Sequence, residues 1–439
     1  MSGTALALLG FVAMLALIAA RMHIGLAMLV TGAIGYMLMQ SPYALFAYMK
    51  TNTYHQFANY TLSVIPLFVL MGAFAERSGL STALFRAASA FVGHLRGGLA
   101  MALIFACTGF GAICGSSVAT TATFGRATVP EFDRYGYDGG FSTGTIAVGG
   151  TLGILIPPSV ILVLYAISTE QNIAKLFMAA LIPGLLATGF YIITILIVVR
   201  LRPKVAPVHA PVPWSERLAL VVKVWPVMLV ALIVVGGIYG GIFTPTEGAS
   251  VGAVAMLLIG LAQRSLDRAA IVGALRQTAE TTGMIFIILL GSEVFNAFLA
   301  LTQVPTNAAA AISGLGLPPY VVLVTLLAFY ILLGAVMDEL AMLLLTLPVF
   351  FPIISGLDFG FPADEVAIWF GILVLIVVGI GLTAPPIGLN VFVISAIARH
   401  HPIKRTYVGV LPYILADVLR LGLVIAFPGL ALWLVRMLS

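Results

Sequence analysis

The sequence predicts an all-α integral membrane protein made of inverted structural repeats, with two re-entrant helical hairpins and two broken transmembrane helices. Three observations predict this. Of the 439 residues, 61% are hydrophobic and 8% charged, whereas a soluble domain is about half apolar and about a quarter charged, so most of this surface needs lipid as its solvent. Short basic clusters set an orientation that obliges two apolar segments to turn back on themselves. Glycines and prolines then recur in the same order in the two halves of the chain.

Taken in order, 3–20 and 24–39 read as the first two spans. Segment 3–20 has no basic stretch before it and no cleavage site, so an uncleaved span is expected rather than a signal peptide. Segments 43–60, 81–94 and 268–281 mix apolar and polar residues ahead of spans. They read equally well as interfacial helices and as solvated connectors. Further spans or apolar arms are 62–75, 99–114, 143–167, 176–199, 224–239, 251–262, 284–301, 320–336, 340–354, 366–397 and 407–434. A single crossing takes roughly 20 residues, so 143–167 is too long unless broken. Cys107 and Cys114 share one apolar segment without metal-ligand partners and are assigned to packing.

Arg200, Arg202, Lys204, Arg217 and Lys223 cluster on one connection, and Arg264, Arg268 and Arg276 on another. The positive-inside rule makes both cytoplasmic. The net charge of +5 is therefore a topology signal and not the mark of a nucleic-acid partner. Carried along the chain, the rule puts Arg77, Arg86, Arg96, Arg134, Arg399, Lys404 and Arg405 inside, with Glu170, Glu247, Asp358, Asp364 and Glu365 outside. This works only if the segments around Gly115 and Asp338 each enter and leave on one side, the first from the cytoplasm and the second from outside.

The two turns belong to a longer internal similarity. Gly72 pairs with Gly291, Gly111 with Gly334, Gly115 with Asp338, Pro130 with Pro352, Pro157-Pro158 with Pro385-Pro386, and Pro183 with Pro412, at offsets from 219 to 229 residues. Six matches in order, with opposite orientations, describe an inverted-topology repeat. Such repeats place solute and ions near the midplane, where interrupted helices expose backbone groups.

Four breaks are expected to carry function. In the first, 111–121, Gly115 permits a tight reversal, and Ser116, Ser117 and Thr120 supply hydroxyls that replace water around an anion or small cation. Close packing of small residues is the competing reading. No Lys follows the glycine, which disfavours a phosphate loop and ATP hydrolysis. In the second, 149–159, unwound carbonyls near Gly150 and Thr151 are expected to ligate a hard cation, with a ligand-free proline kink at Pro157-Pro158 as the alternative.

The third break holds Asp338 and Glu339, two carboxyls that cost roughly 2.5–3.5 kcal/mol each at membrane depth. Asp338 is the leading cation-linked or tip-stabilising residue; capping of the next helix by either acid is the alternative. Adjacent residues do not share a helical face, so one carboxyl is expected in the site. In the fourth, Thr383 and Ala384 before Pro385 are the analogous cation ligands, and Asn390 either meets solute or is satisfied by neighbouring backbone. The solute-facing set is Ser116, Thr120, Pro157, Pro158, Pro385, Asn390 and Arg126. Arg126 either draws an anionic solute or is a basic helix end on the cytoplasmic side. Elsewhere, Glu293 is expected to pair inside the bundle, Asp417 to pair with Arg420, and Thr244 or Thr246 to cap a helix with Glu247 in its first turn.

The blocks GSSVATTATFGRATVPEF, GGTLGILIPPS, LFMAALIPGLL, GIFTPTEGASVGA and GLTAPPIGLNVFVISAIA resemble, in order and spacing, the large membrane subunit of tripartite ATP-independent periplasmic (TRAP) transporters, the DctM-like family. The resemblance covers nearly the whole chain. It implies an inner-membrane, sodium-driven importer of an organic acid, a carboxylate or sugar acid, delivered by a DctP-like periplasmic binding protein. Na+ is the coupling ion and the only metal; no cofactor is implied. It also implies an elevator-type ion-transporter architecture, in which 97–170 and 317–400 form the transport domain. The scaffold is then 1–96, 171–283, 284–316 and 401–439, widened by a four-span DctQ-like subunit expected as a separate chain. Arg126 departs from the small residue expected there, and Glu339 is not a general feature of the family. A binding-protein-independent ion-coupled carboxylate carrier of related fold is the alternative. An intramembrane enzyme is disfavoured, since no HExxH occurs and the two tip carboxyls are adjacent rather than supplied by separate helices.

Overall fold

A computed structural model describes residues 2–208, 210–314 and 316–438. Its α-helices are α1 (Gly3–Ala19), α2 (Ile24–Met39), α3 (Pro42–Phe57), α4 (Val64–Arg77), α5 (Leu80–Val92), α6 (Gly98–Cys114), α7 (Ser117–Arg134), α8 (Gly139–Leu155), α9 (Val160–Ser168), α10 (Ile173–Leu201), α11 (Trp214–Tyr239), α12 (Pro245–Ala262), α13 (Arg268–Thr302), α14 (Val304–Gly314), α15 (Pro319–Gly334), α16 (Glu339–Ser355), α17 (Ala363–Gly381), α18 (Leu389–Ile397), α19 (Ile403–Ala426) and α20 (Gly429–Leu438). A chain in lipid must satisfy its own backbone, which a helix does internally. Seven helical stretches among the described residues are long and apolar enough to cross a membrane, and α8 with α9, bent by 45°, makes an eighth.

Helix starts follow the side chains that cap them. Asn172 accepts from the amides of Ala174 and Lys175 at the head of α10, and Asp267 from Ala270 at the head of α13. Thr244 and Glu247 form the reciprocal capping box expected of that junction.

Two expected boundaries move. Segment 268–281 is not a separate helix but the first part of α13, 35 residues long. At 1.5 Å per residue that is about 52 Å, well beyond a ~30 Å hydrocarbon core. Thr281, Thr282 and Gly283 supply no proline to stop it. Segment 407–434 is divided at Phe427-Pro428 into α19 and α20, because a proline cannot continue the ladder of the preceding turn. By contrast, α6, α15 and α16 have 17, 16 and 17 residues, about 24–26 Å each, short of a full crossing.

The most deeply buried elements are α8, buried at every residue, and α17, buried from Val366 to Gly381. They lie at the centre, and α13 packs along α2 at the periphery through glycines. A Cβ on Gly32 would come within 2.6 Å of the Phe295 backbone, and one on Gly25 within 2.7 Å of the Ile287 carbonyl. Close backbone approach of this kind is how helices associate where burial of apolar surface contributes little. Deep inside, Asp417 pairs with Arg420 at 2.8 Å and accepts from the Tyr191 hydroxyl at 2.8 Å. Glu293 accepts from Tyr48 at 2.8 Å. Each acid thus has a polar partner beside it, the buried Asp417 an ion pair and a hydroxyl, the half-buried Glu293 a hydroxyl.

Candidate functional site

The first tip joins α6 to α7 in two residues. Gly115 takes the left-handed conformation (φ 64°), and Ser116 is extended and accepts the Ala119 amide at 3.4 Å as the cap of α7. The Gly115 carbonyl accepts the Val160 amide at 3.5 Å, and a Cβ on Gly115 would lie 2.9 Å from the Pro158 carbonyl. The tip therefore sits directly on the break between α8 and α9.

That break is later in the chain than expected. Gly150 and Thr151 are not unwound: α8 runs through them to Leu155 and stops at 156–159, where Pro157 and Pro158 are joined by a cis peptide. The prolines force the interruption because they lack the amide that the ladder needs. The glycines serve packing instead. A Cβ on Gly150 would run into Thr121 Oγ1, one on Gly153 into Thr120 Oγ1, and one on Gly111 would lie 2.8 Å from the Leu152 carbonyl. Thr151 turns the other way, its hydroxyl donating to Val148 O at 2.7 Å and meeting Tyr191 Oη at 3.0 Å.

The second tip repeats the logic with different residues. Asp338 caps α16, its Oδ2 accepting from Leu340 at 3.2 Å and Ala341 at 3.3 Å. The Ala335 carbonyl accepts the amides of Ile387 and Gly388 at 3.2 and 3.4 Å, as Gly115 accepts that of Val160. The break between α17 and α18 again carries a cis Pro385-Pro386 bond and returns to helix at left-handed Gly388 (φ 57°). Here the expected position holds: Thr383 and Ala384 lie in the break, with the Thr383 hydroxyl donating to Ile380 O at 3.1 Å. The break is held from outside by Tyr407, whose hydroxyl reaches Pro386 O and Ile387 O at 2.9 and 2.6 Å.

Both tips open onto one cavity of about 600 Å³, whose wall includes Gly115, Ser116, Arg126, Asp338 and Glu339 together with Gly72, Glu76, Cys114, Gln277 and Leu389. Both carboxyls line it, contrary to the expectation of one. Asp338 precedes the helix in extended conformation, so the rule for adjacent helical residues does not bind it. Thr120, Gly150, Thr151, Pro157, Pro158, Thr383, Ala384, Pro385 and Asn390 do not line this cavity.

Arg126 is paired, with Nη2 2.8 Å from Glu76 Oε1, and Gln277 donates to Glu76 Oε2 at 3.1 Å while accepting from Arg77 at 3.2 Å. Glu76 and Gln277 escaped the sequence reading. The signal available was Glu76 itself, an acid immediately before Arg77 in a segment otherwise marked by basic residues.

Behind the first tip lies a second, fully buried polar set. Asn390 donates to Ser117 Oγ at 2.7 Å and to Ala147 O at 3.0 Å, tying α18 to α7 and α8. Its Oδ1, Thr121 Oγ1 and Ser159 Oγ are buried without a hydrogen-bond partner among the described residues, as is Glu339 Oε2 at the other tip. Unpartnered buried oxygens are costly, and these stand next to interrupted helices.

Residues 11–430 match the profile of the tripartite ATP-independent periplasmic transporter, DctM component. The chain belongs to this family. It is thus a multi-pass membrane protein of a bacterial TRAP transporter, a permease and not an enzyme. The C4-dicarboxylate TRAP transporter large permease protein DctM of Pseudomonas aeruginosa is 36% identical over 85% of this chain and 86% of that protein. The isethionate TRAP transporter permease protein DctMQ of Oleidesulfovibrio alaskensis is 33% identical over 80% of this chain and 54% of that protein. The ectoine TRAP transporter large permease protein TeaC of Halomonas elongata is 32% identical over 85% of this chain and 86% of that one. The DctM component also shares its fold with the Alcanivorax borkumensis YdaH transporter, with a TM-score of 0.61 and 17% identity over 88% of this chain and 90% of that chain.

Proposed function

We propose that this DctM component is the large permease of a sodium-coupled importer for a small organic anion, handed over by a periplasmic binding protein. The observation that supports this most is the meeting of the two helix-turn-helix tips on one cavity that has Arg126 on its wall. In this reading the segments 97–170 and 317–400 are inverted repeats of a transport domain carrying two re-entrant hairpins. The remaining segments, 1–96, 171–283, 284–316 and 401–439, form the scaffold against which it moves as an elevator.

The cation set is Gly115, Ser116 and Ser117 on one side and Asp338, Thr383 and Ala384 on the other, with Gly150 and Thr151 inside the intact α8, where Gly150 lets α7 approach and neither supplies an unwound carbonyl. Sodium prefers oxygen ligands, and the unpartnered oxygens of Thr121 and Asn390 beside Ser117 extend the first group. Thr151 contributes by positioning, since it lies inside the intact α8 and its hydroxyl is engaged with Val148 O and Tyr191. The solute set is Ser116, Thr120, Pro157, Pro158, Pro385, Asn390 and Arg126, of which Ser116 and Arg126 reach the cavity in this conformation. Arg126, Glu76 and Gln277 lie beside Arg77, on the side that the basic residues mark as cytoplasmic, so the conformation is assigned as inward-facing.

The dicarboxylate and isethionate in the names of two relatives are small organic anions, a carboxylate and a sulfonate, while ectoine in the third is a zwitterion with a carboxylate, so an anionic oxyacid group is what they share. The fused DctMQ name supports a DctQ-like small subunit as partner. The test is uptake of a labelled C4-dicarboxylate into proteoliposomes with the binding protein and small subunit each omitted in turn. Uptake is expected to need both. Uptake that persists without the binding protein would instead favour a self-sufficient carboxylate carrier.

A further inference from the structure

On the cytoplasmic edge, away from the cavity, three side chains from distant parts of the sequence converge. Asp133 lies in the last turn of α7, and His400 and His401 in the connection between α18 and α19. His400 Nε2 is 2.8 Å from Asp133 Oδ2 and His401 Nε2 is 2.9 Å from Asp133 Oδ1, and the three donor atoms all lie within 4.8 Å of one another. Two imidazoles presenting the same ring nitrogen to one carboxylate bring three transition-metal donors together at one point of the surface. Imidazole nitrogen with carboxylate oxygen is a donor set that a zinc-class ion takes.

From this geometry we propose that Asp133, His400 and His401 form a binding site for a divalent transition-metal ion of the zinc class, which clips the end of α7 to the α18–α19 connection. Zinc takes imidazole nitrogen and carboxylate oxygen at about 2.0–2.2 Å in a tetrahedron, so ligand atoms stand about 3.3 Å apart. From their present spacing each imidazole nitrogen and its carboxylate oxygen part by about half an ångström, and the most widely separated donors, up to 4.8 Å apart, draw in by up to about 1.5 Å. Three protein ligands leave a fourth position for water. Two nitrogens in three donors disfavour magnesium, calcium and sodium, which select oxygen, so this site is separate from the coupling-ion set.

The surroundings suit the role. His401 is held close to Gly139, where a Cβ would collide with its imidazole. The two arginines nearest in sequence are engaged elsewhere: Arg134 is 4.0 Å from Glu131 and lies over Tyr135, and Arg399 Nε donates to Ala396 O. The clip closes a seam already tight, since a Cβ on Gly125 of α7 would stand 2.8 Å from Ile394 of α18. Because α7 comes from the first repeat and α18 from the second, the metal fastens the two repeats to each other.

The test uses the full chain in detergent, purified on a histidine-free tag and stripped with chelator, then titrated with Zn2+ alone by calorimetry and thermal unfolding. Co2+ absorption reports coordination directly. One ion per chain is expected, with a raised unfolding midpoint and the intense visible bands of four-coordinate Co2+. Loss of a direct ligand in His400→Gln, His401→Gln or Asp133→Asn should weaken binding by more than the roughly 10–100-fold typical of outer-shell partners. His94→Gln should bind as the wild type. His400 is half exposed, so its variant is expected to fold, which gel filtration checks. Zinc uptake unchanged in both histidine variants, or no uptake by the wild type, would overturn the proposal.

Discussion

Replacing Asn390 by Ala probes the joint of α18 with α7 and α8 most sharply. The side chain is fully buried and donates to Ser117 Oγ and Ala147 O at 2.7 and 3.0 Å. Each bond contributes about 0.5–1.5 kcal/mol, and each acceptor left orphaned costs about 1–3 kcal/mol. Ser117 can rotate to another partner and Ala147 O keeps its helical bond, so the loss is that of the two bonds, about 1–3 kcal/mol in total. At 1.4 kcal/mol per decade this is roughly a 5- to 140-fold loss in the population of the joined interface. The assay is thermal unfolding of the purified protein in sodium or in choline at equal ionic strength. The wild type is expected to be stabilised by sodium, and Asn390→Ala should unfold at lower temperature and lose that stabilisation. Ser117→Ala should lose part of the same stabilisation. The double variant should fall short of the sum by 0.5 kcal/mol or more, as neighbours in contact do. A variant that keeps the full sodium-dependent shift would refute the placing of an ion beside Asn390 and Ser117.

Three further predictions use the same geometry. Arg126→Gln breaks an ion pair that is more than half exposed at the arginine and worth about 0–1 kcal/mol; stability should barely change, while KM for an anionic solute rises about 5-fold with kcat nearly unchanged. Gly150→Val forces a side chain onto Thr121 and the Ser117 carbonyl, an overpacking of about 1–3 kcal/mol or more; uptake and thermal stability should both drop, and wild-type behaviour would contradict the close contact of α7 on α8. Asp338→Asn retains a good helix cap but removes the charge, so the unfolding midpoint should hold while the sodium concentration for half-maximal uptake increases. Equal sodium dependence would confine Asp338 to capping.

Much of the architecture was legible because prolines and charges speak locally. The double prolines interrupt two otherwise apolar stretches, and the structure breaks at both. Asp417 and Arg420 stand three residues apart, one helical neighbourhood, and Thr244 with Glu247 follows the capping-box spacing. Gly149, Gly150 and Gly153 misled for a physical reason. Glycine can loosen a helix or let another helix approach, and only the presence of α6 and α7 against α8 selects the second. The continuity of α13 was hidden in a similar way, since Thr281 to Gly283 are poor helix formers that packing overrides. Glu76 with Gln277, 201 residues apart, and Asp133 with His400, 267 apart, meet only in three dimensions, and no local pattern in the sequence marks either pair.

Coupling to sodium is the central claim, and reconstituted transport tests it most directly. Proteoliposomes holding the DctM component and its small subunit, supplied with loaded binding protein, should take up solute when sodium is high outside and low inside. Uptake should collapse when the gradient is abolished at constant ionic strength. Uptake of equal rate and extent with and without the sodium gradient would contradict the account.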